Sequence, residues 1–185
     1  MTVYVLTNYD INVVIGIALV DIAHRESNDS HALALTAQGQ VYAWGRNQHG
    51  QLGLNHCRDS QTPVNITRFT EPVSRIACGQ QFSAAVTISG GVYMWGKGTR
   101  GQCCGHVGAV SPKFVTGLFG VEIVEIKCGF SFVMALSRQG KIFTWGEGLF
   151  KKRQTKPTEV FFGANGITIQ DFACGYGHAA VSISF

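Results

Sequence analysis

The sequence predicts an all-β chain, a partial β-propeller of about three full blades plus two partial ones, with short antiparallel strands in each blade. Three observations predict it. First, the segment at 41–54, Val-Tyr-Ala-Trp-Gly-Arg-Asn-Gln-His-Gly-Gln-Leu-Gly-Leu, returns in degenerate form at 92–105 and begins again at 142–148, which puts Trp44, Trp95 and Trp145 51 and 50 residues apart. A period near 50 residues marks units that bury their apolar faces only by stacking on neighbours. Second, Gly makes up 23 of 185 residues and charged residues only 14%, against averages near 7% and about 25%. That composition suits tight turns between buried strands and excludes a disordered or coiled-coil chain. Third, the apolar runs are short and both alternating sets of side chains are apolar or small, the pattern of strands buried on both faces. Three or four such strands per unit is the make-up of a propeller blade. Stacked solenoid layers satisfy the same count, but hairpins ending in Trp-Gly favour blades.

Taken in order, 1–185 reads as one domain. Residues 1–10 contain Val3-Tyr-Val-Leu6, which matches the aromatic strand of the repeat with Leu6 in the tryptophan place, and so form the end of a preceding blade. The apolar run at 13–20 is shorter than the roughly 20 residues that a bilayer span needs. It lacks a basic leader and a cleavage site, so it is expected to be a buried strand, with no membrane span and no secretion. Residues 17–66 form a blade, with a strand at 31–36, a turn at Gln38-Gly39 and the aromatic strand at 41–44. Residues 73–115 repeat it, with strands at 82–87 and 92–95 and a loop ending at Pro112. Residues 123–160 repeat it again, and 167–185 form an incomplete blade that stops before its glycine turn. Gly39, Gly90 and Gly140 each lie five residues before a tryptophan or its equivalent offset, which marks hairpin turns needing positive φ.

The repeat positions themselves are Trp44, Gly45, Gly50 and Gln51; Trp95, Gly96, Gly101 and Gln102; Trp145 and Gly146; and the pairs Cys78-Gly79, Cys128-Gly129 and Cys174-Gly175. A large aromatic at one place in every unit is expected to pack between blades. Cysteines that recur in phase with a repeat read as small core residues rather than halves of bridges. Cys57 and the pair Cys103-Cys104 fall in loops, and no C-x-x-C spacing occurs, which argues against zinc. No metal and no cofactor are expected, and thiols in a reducing, cytoplasmic or nuclear compartment fit this usage.

Together the residues form a pattern: Cys-Gly, a His or Phe four residues after that Cys, an apolar strand, Gly, Val-Tyr-x-Trp-Gly, then Asn-x-x-Gly-Gln-Leu-Gly. This resembles the regulator of chromosome condensation repeat family from about residue 17 to the C-terminus. The resemblance implies a propeller, seven-bladed in typical members, that serves as an exchange factor for the small GTPase Ran, as a module of HECT-type ubiquitin ligases, or as an interaction platform. Departures are visible. His24-Arg25 replace Cys-Gly in the first unit, Gly98 and Cys103-Cys104 replace the Asn and the Leu-Gly in the second, and Lys151-Lys-Arg153 stand where the third unit's Gly-Gln-Leu-Gly would be. Three full units and two partial ones are fewer than a seven-bladed ring, so open blade faces are expected to favour self-association.

Other motifs have plainer readings. Gly96-Lys-Gly-Thr-Arg-Gly101 fits G-x-G-x-x-G, but no helix pattern follows and its glycines are repeat positions, so it serves turns rather than a dinucleotide. His31 and His178 fall where Phe82 and Phe132 stand, a packing position more than a catalytic one. No Ser, His and acid grouping can be assembled, so the chain is read as not an enzyme. Asn28-Asp-Ser30 and Asn65-Ile-Thr67 match a glycosylation pattern that the absence of a leader argues against. A non-catalytic surface for a protein partner, a small GTPase among the candidates, is the function that follows. Loops at 46–56, 97–106 and 147–156 would carry specificity, with Arg46, His49, Lys97, Arg100, Lys151, Lys152 and Arg153 as contact candidates. The net charge of +4 is too mild to imply nucleic acid or chromatin.

Overall fold

A computed structural model describes residues 17–22, 30–149, 153–163 and 167–184. The expected strand in 1–10, the first half of the apolar run at 13–20, His24-Arg25, and the contact candidates Lys151 and Lys152 lie outside the described residues.

The described chain is a partial propeller of three four-stranded antiparallel sheets and one two-stranded sheet, each in simple consecutive order. The first sheet contains β1 (Ile17–Ile22), β2 (His31–Thr36), β3 (Val41–Gly45) and β4 (Ser60–Ile66). The second contains β5 (Val73–Cys78), β6 (Phe82–Thr87), β7 (Val92–Gly96) and β8 (Ala109–Phe114). The third contains β9 (Ile123–Cys128), β10 (Phe132–Ser137), β11 (Ile142–Gly146) and β12 (Gln154–Val160), and the last pairs β13 (Thr168–Cys174) with β14 (Ala179–Ser184). The first strands β1, β5, β9 and β13 pack on one another in succession, which makes them the inner strands around the propeller axis.

The glycine hairpins form as the sequence predicts. Gly39, Gly90 and Gly140 have φ of 78°, 84° and 77°, the left-handed region that a glycine reaches without a Cβ penalty. Each turn is also held by a hydroxyl at its entry: Thr36, Thr87 and Ser137 accept from the backbone N–H of Gln40, Gly91 and Lys141 at 3.1 Å. The Cys-Gly glycines serve a different need. A Cβ on Gly79 or Gly129 would lie 1.9 or 2.1 Å from the ring of Phe82 or Phe132, and one on Gly175 would lie 2.5 Å from the His178 ring. The aromatic four residues after each Cys therefore lies flat over the glycine, so these two positions are linked by packing.

Two expectations need correction. Burial on both faces holds for β2 and β6, which are buried throughout, but not for the fourth strands, whose outer edges meet solvent. Pro112 also lies inside β8 rather than at the end of a loop, and Pro63 and Pro157 take similar places in β4 and β12. A proline in a sheet is tolerated on an edge strand, where its missing N–H deprives no partner. Among the described residues no helix is long and apolar enough to cross a membrane.

Candidate protein-interaction surface

Strand register decides which residues share a face. His31 pairs with Gly45, Phe82 with Gly96 and Phe132 with Gly146, so the Cys-Gly ends, the Trp-Gly ends and the loops that follow them emerge on one side of every blade. The glycine turns and the links between blades emerge on the other. The loops that follow the aromatic strands thus converge on a single face.

That frame is closed from blade to blade by the tryptophans. Trp95 Nε1 donates to the backbone carbonyl of Gln51 in the preceding blade, and Trp145 Nε1 donates to that of Gln102, both at 2.8 Å. The glutamine side chains turn back on their own loops, with Gln51 Oε1 accepting from His49 N–H and Gln102 Oε1 from Arg100 N–H. Gly50 and Gly101, at φ 78° and 84°, bring their loops against the outer strand of the next blade, where a Cβ would meet Val110 Cα or the Gln154 carbonyl at 2.7 Å. Gly45, Gly96 and Gly146, at φ near 100°, cross the start of the neighbouring strand within their own blade.

The first seam carries an added polar link. Ser83 Oγ donates to the same Gln51 carbonyl at 2.8 Å. Its single hydrogen is then committed, so it accepts from His31 Nε2–H at 2.8 Å. Nδ1 of His31 is left with no hydrogen-bond partner. Burial lowers the pKa of this imidazole to about 4, an effect the Phe82 backbone opposes only in part. A neutral, packed histidine is the result.

The loop after β3, residues 46–59, is knitted by Asn47, which is fully buried. Its Nδ2 donates to the carbonyls of His56 and Arg58 at 2.8 and 2.9 Å, its Oδ1 accepts from Leu52 N–H, and its own N–H donates to Asp59. The second blade has Gly98 there, and a Cβ on Gly98 would lie 2.0 Å from the His106 carbonyl. Main chain therefore occupies the space that an asparagine side chain fills one blade earlier. In the same loop Cys103 takes the buried place of Leu52, and Cys104 takes that of Gly53 with a left-handed φ of 50°.

The contact candidates divide between blades. Arg46 is paired to Asp59 at 2.9 Å, and His49 lies on the same first-blade loop. Lys97, Arg100 and Arg153 come together at the second seam: Lys97 and Arg100 line one cleft, and Arg153 donates to the Thr99 carbonyl at 3.1 Å. The third loop is shorter than expected, because 154–156 already belong to β12. The cleft, of about 260 Å³, is also lined by Gln80, Gln81, Gln102, Phe130 and Ser131.

The repeated cysteines pack at the margin of the apolar clusters. Cys78, Cys128 and Cys174 are half-buried on the inner strands and line an axial groove of about 670 Å³ together with Asp21, Glu125 and Lys127. Cys78 and Cys128 lie two residues after the buried Ile76 and Ile126, on the same face of their strands, and pack against the same apolar clusters. The thiols bridge blades, with Cys78 Sγ donating to the Asp21 carbonyl at 3.4 Å and Cys174 Sγ to that of Lys127 at 3.7 Å. Burial pushes the Cys174 thiol up to about 12 and the Cys128 thiol well above its ordinary value, so both stay protonated at neutral pH. Among the described residues no group of three His, Cys, Asp or Glu is placed to hold a metal ion.

Sequence comparison now gives this geometry a context. The profile described as the regulator of chromosome condensation (RCC1) repeat matches residues 38–86 and 89–136, and a second profile of the same description matches 73–102. The chain is similar to the human "Probable E3 ubiquitin-protein ligase HERC3", at 37% identity over 115 residues, 60% of this chain and 11% of that protein. Among solved structures it resembles human WBSCR16, with a TM-score of 0.81 at 22% identity, covering 95% of this chain and 46% of that one. It also resembles Prp20p of Saccharomyces cerevisiae, with a TM-score of 0.69 at 23% identity over 83% of this chain and 39% of that one, in a structure whose description names binding to Gsp1p and histones.

Proposed function

We propose, from the premise that this chain belongs to the regulator of chromosome condensation repeat family, that it is a non-catalytic propeller module whose loop face binds a protein partner. The observation that carries this reading is the distribution of charge over a rigid frame. Arg46, Arg58, Lys97, Arg100 and Arg153 stand on the loops of one face, against Asp59 and Glu147. The strands beneath them repeat closely while the loops differ in length, in Asn47 against Gly98, and in Leu-Gly against Cys-Cys. A fixed scaffold with variable, charged loops is suited to reading a partner surface. Localisation in the cytoplasm or nucleus follows from the same reading.

A second reading is nucleotide exchange on a Ran-like GTPase, favoured by the likeness to Prp20p and its named binding to Gsp1p. A third, suggested by the likeness to HERC3, is the propeller part of a HECT-type ligase. In either case the activity would belong to a whole protein of which this chain resembles a part. The test is calorimetric titration of the chain with a GDP-loaded Ran-type GTPase and with a core histone dimer, followed by release of a fluorescent GDP analogue. We expect binding that the triple variant Lys97→Glu, Arg100→Glu, Arg153→Glu abolishes, with nucleotide release unchanged. Accelerated release would replace this reading with the exchange reading. Binding that survives the triple variant but is lost on changing Ile88 and Phe119, which are exposed on the opposite face, would overturn the choice of surface.

A further inference from the structure

The three blades place different residues immediately after their Trp-Gly pairs. In the first blade Arg46 is neutralised by Asp59 of its own loop at 2.9 Å. The third blade has Glu147 there. The second has Lys97, whose loop at 97–108 contains no acidic residue, and no carboxylate pairs with it among the described residues. Lys97 Nζ instead donates to Gln81 Oε1 at 2.8 Å, which aims the ammonium and leaves two of its three N–H groups for a guest.

Across the cleft, Arg100 is held by three restraints. Its backbone N–H donates to Gln102 Oε1 at 2.8 Å, its guanidinium lies 5.7 Å from the centre of the Phe130 ring, and Glu147 stands at 4.0 Å from Nε. That last distance is beyond a hydrogen bond, so the acid orients the arginine without taking up its N–H at Nε, and Arg100 lines the cleft. Phe130 is in turn stacked on Tyr176 of the last sheet, with ring centres 4.1 Å apart, and Tyr176 is 67% exposed. Phe130 lines the cleft with the two cations, and through it the exposed Tyr176 carries the aromatic surface on toward the axial groove; cations next to an aromatic are the combination found where a few side chains dominate a protein interface.

We infer that the cleft between Lys97 and Arg100 seats one carboxylate of an acidic protein segment, and that the Phe130–Tyr176 stack takes the apolar side chain next to it. The inference rests on the loop-face reading and adds the chemistry of the partner to it. A cleft of about 260 Å³ admits one side chain. Two converging cations suit one carboxylate, whereas a phosphate backbone is held by a longer basic track. The aromatic stack adds a preference for an apolar neighbour that a free anion would not satisfy.

The probe is a fluorescein-labelled peptide with a Glu-Glu-Leu core, followed by anisotropy at low and moderate salt, with a Gln-Gln-Leu peptide, a phosphoserine peptide and inorganic phosphate as competitors. We expect Lys97→Met and Arg100→Gln each to weaken binding roughly tenfold or more, as loss of a charge-assisted hydrogen bond does, and Tyr176→Ala to weaken it about threefold or more. Arg68→Gln, exposed on the link between β4 and β5 on the opposite side of the blades, should leave it unchanged. Thermal melts of the Lys97, Arg100 and Arg68 variants should stay close to the parent, since no buried contact is removed, and Tyr176→Ala should lower the melt only slightly, because its contact with Phe130 is exposed. Equal binding of the amide peptide, equal weakening by Arg68→Gln, or stronger binding of phosphate or the phosphoserine peptide would overturn the inference. So would no peptide binding at all; in that case the loop-face reading still stands or falls by the titrations with whole proteins.

Discussion

The two seams that join the first three blades differ from the seam that joins the third blade to the last sheet. At the first two, a buried tryptophan reaches back to a main-chain carbonyl, and a turn glycine docks on the next inner strand: the Gly39 carbonyl accepts from Val73 N–H and the Gly90 carbonyl from Ile123 N–H. At the last, Phe172 packs with Phe132, Met134 and Ile142 and no tryptophan reaches across among the described residues; the polar and exposed ties are Lys127 to Asp171 at 3.0 Å, Cys174 Sγ to the Lys127 carbonyl, Phe130 N–H to the Tyr176 carbonyl, and the Phe130–Tyr176 ring contact. The lesson is that a seam is closed by the third strand of the following blade, the one that brings the tryptophan. Two strands alone give inner-strand contacts but leave β14 half-exposed.

The strongest way to break this contrast is to remove the tryptophans. Trp95→Ala and Trp145→Ala should each cost roughly 3–5 kcal/mol, the range for a fully buried large aromatic, read by urea unfolding. Equal costs would show that the two seams are built alike. A Trp95→Ala protein that melts as the parent does would refute the assignment of seam closure to this residue.

Acid should sharpen a difference between the first seam and the second, because only the first contains His31. An unfolded histidine titrates near 6.5 and the folded one at about 4, so the unfolded state binds the proton first as pH falls. Stability is therefore complete above pH 6.5 and declines toward pH 4, by roughly 3 kcal/mol from this residue. His31→Phe, which installs the residue that the second and third blades carry at this place, should remove that part of the decline. An unaltered pH profile of urea midpoints in the variant would exclude His31 as the cause.

The turn glycines give the smallest and most local test. A Cβ on Gly39 would come 2.5 Å from Pro72 Cβ, and one on Gly90 2.7 Å from Glu122 Cα, whereas Gly140 has no atom within 4 Å of that point. Gly140→Ala should then cost only the left-handed backbone penalty of about 1–2 kcal/mol, and Gly39→Ala and Gly90→Ala about 1–3 kcal/mol more, as overpacked sites do. Three equal losses of melting stability would show that the turns do not dock.

Much of this architecture was legible because it recurs. Trp44, Trp95 and Trp145, the turn glycines and the Cys-Gly pairs announce themselves by spacing, and spacing alone gives three hairpins and the blade order. The turn hydroxyls of Thr36, Thr87 and Ser137 recur at the same interval, yet Thr and Ser are common enough that the repetition was not read as a signal. What was illegible depends on main-chain atoms. The carbonyls of Gln51 and Gln102 have no side-chain signature, and the His106 carbonyl that replaces an asparagine side chain beside Gly98 is visible only in three dimensions. The Cys-Gly pairs recur visibly, but the main-chain carbonyls of Asp21 and Lys127 that take the Cys78 and Cys174 thiols across the seams have no sequence signature. Of the contact candidates, charge and loop position pointed to Lys97, Arg100 and Arg153, but not to Phe130 and Tyr176, whose partnership joins residues from two different blades.

The bond from each tryptophan to the carbonyl before it also bears on how such a chain can change over generations. Since the acceptor is a main-chain oxygen, the joint is indifferent to the side chains around it, and the loop can drift from Gln-Leu-Gly to Gln-Cys-Cys while the joint survives at the same 2.8 Å. Donor and acceptor lie about one repeat apart, so duplication or deletion of a whole repeat restores the joint, and a partial one severs it. The joint thereby keeps the copying unit at one blade and leaves the loops to diversify.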